Sequence, residues 1–124
     1  MKIKIVSEKT GPIQATLTDE NEETSEAIYA ALPIEASANT WGDEIYFSIP
    51  VDVGLGNPKE VVNMGDLAYW PPGKAFCIFF GKTPASRGDD IRPASAVNVI
   101  GKIEGDPKVF KKVSSGDKIR IEKA

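Results

Sequence analysis

A chain of 124 residues is close to the size of one ordinary domain and too short for two comfortable cores, so residues 1–124 are expected to fold as a single unit. Its 15 basic and 18 acidic side chains leave a net charge of −3 with no Lys/Arg block, which argues against a nucleic-acid partner. A single cysteine excludes an internal disulfide, and no apolar run approaches the ~18 residues that span a bilayer, so the expected address is cytoplasmic, with no membrane partner.

The dominant signal is period-two alternation, the mark of antiparallel strands with one wet and one buried face. Met1-Lys2-Ile3-Lys4-Ile5-Val6 alternates charge and apolar groups, unlike a signal-peptide core. Ile13, Ala15 and Leu17 repeat the pattern. A helix is predicted over Asp19–Leu32: acidic residues load its first turn, and Ala27, Ile28, Ala31 and Leu32 share one face before Pro33 stops it. Ile45, Phe47 and Ile49 then alternate with Tyr46 and Ser48, so Tyr46 is expected to point away from the core.

Gly54-Leu55-Gly56-Asn57-Pro58 has neither a P-loop's Lys-Ser/Thr nor dinucleotide-fingerprint spacing, and reads as a turn. Residues 57–62 carry a helix-start signature yet lead straight to a second turn at Gly65-Asp66, and read as a turn followed by a strand. Cys77 lies within the apolar run Phe76–Phe80, where a free thiol is expected to be buried and inert. The segment Thr83–Pro93 reads as a long loop. Val97–Ile103 alternates again, a short helix is predicted from Asp106-Pro107 with Asp as N-cap, and Ile119 and Ile121 mark a last strand. About eight mostly antiparallel strands and one or two short helices favour a mainly β chain closed into a barrel, since eight strands enclose just enough room for side chains.

Four blocks carry a resemblance. They are Asn39-Thr40-Trp41-Gly42-Asp43-Glu44-Ile45-Tyr46-Phe47-Ser48, Gly65-Asp66-Leu67-Ala68-Tyr69-Trp70-Pro71-Pro72-Gly73-Lys74, Phe76-Cys77-Ile78-Phe79-Phe80-Gly81-Lys82-Thr83-Pro84 and Pro93-Ala94-Ser95-Ala96-Val97-Asn98-Val99-Ile100-Gly101-Lys102. Together they resemble a small prokaryotic family of uncharacterised proteins with a cyclophilin-like fold. The resemblance implies a closed cyclophilin-like barrel and no particular activity. True cyclophilins carry a Phe-His-Arg strand; this chain has no histidine, and Arg87, Arg92 and Arg120 lie in no such strand. Prolyl isomerisation must lower a barrier of ~18–20 kcal/mol, and the cation that would do so is not evident here.

Without histidine, an ordinary zinc site and a nucleophile–His pair are both excluded, and no cofactor motif is present. The amphipathic aromatics Trp41, Tyr46, Tyr69 and Trp70 fall at strand ends and turns, where a barrel's mouth is expected, and Arg87 and Arg92 flank Gly88 in the long loop. These six residues are the candidate ligand-binding set. The favoured reading is a binding module for a small molecule or short peptide. The alternatives are a subunit docking a partner on the barrel face, and a weak prolyl isomerase by analogy of fold.

Overall fold

A computed structural model of the chain describes residues 1–124. In chain order the elements are β1 (Lys2–Ser7), β2 (Gly11–Leu17), α1 (Glu22–Ala31), β3 (Ile34–Ser37), β4 (Asn39–Thr40), β5 (Glu44–Ser48), β6 (Pro58–Lys59), β7 (Asp66–Trp70), β8 (Ala75–Phe79), β9 (Val97–Ile103) and β10 (Lys118–Lys123). Short 3-10 turns occupy Pro71–Gly73 and Pro107–Lys112. Every strand pairing is antiparallel. The sheet runs β3-β10-β1-β2-β9-β7-β8-β5-β4, with β6 adding to β9. Of the ten strands, β4 and β6 have two residues each, too short to register as alternation; the other eight account for the number expected from the pattern.

The sheet curls because its two end strands are consecutive in the chain. Only Ala38 separates β3 from β4, so the ends of the sheet must meet there. Ala38 is clamped by its N–H to the Asp117 carbonyl and by its own carbonyl to the Gly116 N–H, both at 2.8 Å. The result is a nearly closed barrel with one face of every long strand turned inward. Ile3, Ile5, Ile45, Phe47, Phe76, Ile78, Ile119 and Ile121 fill the interior. Phe47 and Phe76 stack there with ring centroids 5.5 Å apart. Where β2 approaches β9 the backbones nearly touch: a Cβ on Gly101 would fall 2.4 Å from the Thr16 carbonyl oxygen, so no side chain fits.

Helix α1 starts at Glu22, three residues later than the acidic run suggests. Asn21 occupies the cap position, but its side chain is engaged elsewhere, bonding Asn57 and the Val99 carbonyl. Ile28, fully buried, joins the interior, a burial that contributes about 1.5–3 kcal/mol. The Asp106 cap is as expected, its carboxylate accepting from the Lys108 N–H at 3.0 Å, though the segment it starts is 3-10 rather than α. Phe110 from this turn closes one end of the core against Phe80. No helix is long and apolar enough to cross a membrane.

Strands β7, β8 and β9 are buried on both faces. Their outward side chains, Ala68, Ala75, Cys77, Phe79, Val97 and Val99, form a second apolar cluster with Val62 and Ile91. What covers them is loop rather than strand: the segment ending at Val62, bridged to Ile91, and the chain from Thr83 to Ala96. This second layer is where a pocket is left open.

Candidate functional site

Between the sheet's outer face and the long loop lies an apolar hollow of about 230 Å³, its walls Trp41, Tyr46, Trp70, Pro93, Ala94 and Val97. Each wall has a local cause. Trp41 sits at the head of a tight turn, bonded N–H to carbonyl with Glu44 in both directions, at 2.9 and 3.2 Å. Gly42 makes that turn possible: its φ is +60°, and a Cβ there would lie 2.9 Å from the Lys82 carbonyl oxygen and from Pro84. Strand alternation then sends Ile45 and Phe47 inward and Glu44 and Tyr46 outward. Trp70, the last residue of β7, lies across Gly73 and donates its indole N–H to the Ser95 hydroxyl at 2.7 Å, tying the sheet to the loop.

At the base of the hollow is Glu44, whose side chain the sequence reading passed over. It is only 5% exposed and lines the cavity. No lysine or arginine pairs with it: nearby Lys111 pairs with Asp43 at 3.7 Å, and Lys82 with Asp89 at 3.7 Å. Burial pushes its carboxyl from an ordinary 4.5 up to about 7, opposed only in part by the neighbouring Cys77 thiol. The Cys77 Sγ lies 3.8 Å from the Ala75 carbonyl oxygen, and it is the thiol's hydrogen bond to the Glu44 carboxylate that opposes the rise. The thiol is itself held well above the usual range, chiefly by burial and then by the Glu44 charge. The signal for Glu44 was present in the sequence: it stands two positions before Tyr46 and so shares its outward face.

Three of the six candidates meet in this hollow: Trp41, Tyr46 and Trp70. The hollow lies on the outer wall of the barrel, not at its mouth, because its strand residues are those facing away from the interior. Tyr69 is a correction. Adjacent residues of a strand face opposite ways, so with Trp70 outside, Tyr69 is inside; it is fully buried and donates its hydroxyl to the Val51 carbonyl. Arg87 and Arg92 are corrections too. Both belong to a loop folded on itself around Asp90, which accepts the Arg87 backbone N–H at 2.7 Å and the Arg92 Nε at 2.8 Å. Ser86 and Thr83 lace the same loop to Arg92, so neither arginine lines the hollow.

The model of the family described as cyclophilin-like matches residues 1–122 of this sequence. The chain belongs to the cyclophilin-like family. Among solved structures it is similar to the solution structure of a hypothetical protein from Archaeoglobus fulgidus, with 49% identity, a TM-score of 0.85, and coverage of 100% of this chain and 95% of that one. No curated protein matches. The family description and the neighbour's title name a fold and no activity, so the residues alone must argue for what this member does.

Proposed function

We propose that the chain is a binding module that takes one small, largely apolar group into the Trp41–Tyr46–Trp70 hollow, presented either by a small molecule or by a side chain of a short peptide. The observation that carries this reading is the hollow itself: an aromatic-walled opening of about 230 Å³ in a layer whose neighbouring surface is packed shut. Its size is slightly below the ~300 Å³ at which drug-sized sites begin, and suits one side chain or one compact group. Tryptophan and tyrosine lose few rotamers on binding and offer large contact areas, which is why they anchor recognition sites. A docking face would instead need a broad exposed apolar patch, whereas the large exposed apolar side chains are only Met1, Leu55, Val61 and Met64.

The reading is tested by ligand-observed NMR and tryptophan fluorescence with small apolar probes, a neutral alcohol carrying a tert-butyl group and free indole. Saturable binding that Trp70→Ala and Tyr46→Ala each weaken by about tenfold supports it, the loss expected of a hot-spot aromatic. Binding unchanged in both variants, or none by wild type at tens of millimolar, overturns it.

A further inference from the structure

Resting on that reading of the hollow, we propose that the group it receives is an organic ammonium: an alkylated nitrogen cation whose carbons pack on Trp41, Tyr46 and Trp70 and whose charge faces the Glu44 carboxylate. Three observations converge on this chemistry. Two tryptophans and a tyrosine line the hollow, and the face of tryptophan is the best natural surface for a cation. The indole N–H of Trp70 is already bonded to Ser95, which leaves its ring, not its polar edge, for the ligand. Beneath them Glu44 is a carboxylate that the fold leaves without a cation, although buried charges are ordinarily paired.

The rest of the surface makes this exception plain. The polar hollow between Glu8 and Lys118 contains Lys9 and Asp117, paired with each other at 2.8 Å. Glu35 is met by Arg120 at 3.3 Å, and Glu20 by Lys59 at 3.0 Å. Asp66, the other buried acidic side chain, also has no salt bridge, but it accepts the Asn63 N–H at 2.8 Å and lines neither this hollow nor the polar one, whereas Glu44 combines burial, a cavity and a missing counter-ion. An anionic ligand would face a carboxylate with no basic group among the walls, and a nucleotide would find neither phosphate donors nor room. A purely apolar ligand would fit the walls and leave Glu44 without a counter-ion. A methylated or otherwise alkylated ammonium satisfies all of these, because its charge is spread over carbons that are themselves apolar.

The chemistry has two sources, a free small cation and an alkylated lysine in a peptide, and both enter the test. Isothermal titration on the full chain at about pH 8.5, where Glu44 is ionised, compares choline with its neutral carbon isostere, 3,3-dimethylbutan-1-ol, in wild type and in Glu44→Gln. Choline is expected to bind wild type about tenfold more tightly than the isostere, a preference that Glu44→Gln reduces to the smaller share the aromatic walls supply while isostere binding persists. Its methyl protons are expected to shift upfield when bound, the signature of seating on aromatic faces. Equal binding of choline and the isostere by wild type overturns the ammonium assignment and leaves the apolar-pocket reading standing; binding of neither probe overturns both. A trimethyllysine peptide is titrated beside its unmodified lysine counterpart. Tighter binding of the methylated peptide than of choline assigns the cation to a peptide, and the reverse assigns it to a small molecule. A circular-dichroism melt of Glu44→Gln no less cooperative than wild type shows that lost selectivity is not lost fold.

Discussion

Replacing Glu44 by glutamine is expected to stabilise the protein in alkaline solution and to do nothing in acid. The carboxyl titrates near 7 in the fold against an ordinary 4.5, because burial disfavours its charged form. The folded state therefore holds this proton more tightly than the unfolded state does. The stabilisation is complete below about pH 4 and is lost as pH rises through 7; by about pH 8.5 the loss amounts to about 3 kcal/mol. Glutamine has nearly the same shape and no charge to desolvate, so the variant escapes the loss. Against a total stability of roughly 5–15 kcal/mol this is a large fraction, equivalent to about 10 °C in melting temperature for a domain of this size. Urea denaturation of both proteins from about pH 4 to about pH 8.5 measures it. Asp66 is also pushed up by burial and titrates with the same sign, so the informative quantity is the difference between the two proteins at each pH, not the slope of either. Curves that remain parallel across the whole range would refute the reasoning, because a carboxyl that is solvated or paired has no such penalty to relieve.

Cys77, 1% exposed and with its pKa raised by burial, is expected to react with a soluble disulfide reagent only after denaturant is added; prompt labelling of the native protein contradicts that placement. Tyr69→Phe removes the buried hydroxyl that donates to the Val51 carbonyl and should cost about 1–3 kcal/mol in chemical denaturation while leaving probe affinity at the hollow unchanged; a variant weakened in binding but not in stability would return Tyr69 to the site. Asn98→Ala strips the bonds that this fully buried side chain makes to Thr24, to the Gly54 carbonyl and from the Gly56 N–H. A loss of about 3 kcal/mol, with faster amide exchange at Gly56, is expected, and unaltered exchange there would show that the loop is held by other contacts.

Much of the barrel is legible in the sequence because its long strands obey one rule, an apolar residue at every second position, and the rule is written plainly in Ile3/Ile5, Ile45/Phe47 and Ile119/Ile121. It fails where burial is two-sided. In Phe76–Phe80 every position is apolar, so periodicity marks a buried strand without saying which residues face inward; pairing decides it, setting Phe76 against Tyr69 and Cys77 against Ala68. The site was half legible for the same reason. Aromatic character drew Tyr69 and Trp70 into one set, although adjacent strand residues cannot share a face. Loop position drew in Arg87 and Arg92, whose partners are set by a turn around Asp90 that no periodicity encodes. Glu44 went unnoticed because an acidic residue in a charged chain looks like a solvated one. What distinguishes it is the hollow it lines, whose opposite wall comes from Pro93, Ala94 and Val97, some fifty positions away.

The place of β10 in the sheet has a consequence for how the chain must fold. It lies between β1 and β3, pairing Ile5 with Ile121 on one side and Ile34 with Ile121 on the other. Bringing Ile5 to Ile121 closes a loop of over a hundred residues, an entropic cost of about 4 kcal/mol that no local hairpin shares. The β5–β8–β7 region can assemble from nearer neighbours. A nascent chain that has emerged only as far as Asp117 still presents the open edges of β1 and β3, the kind of surface that recruits other strands. Closure must therefore follow synthesis of β10. Any truncation within it exposes two edges at once, so its expected outcome is aggregation, not a slightly weakened monomer.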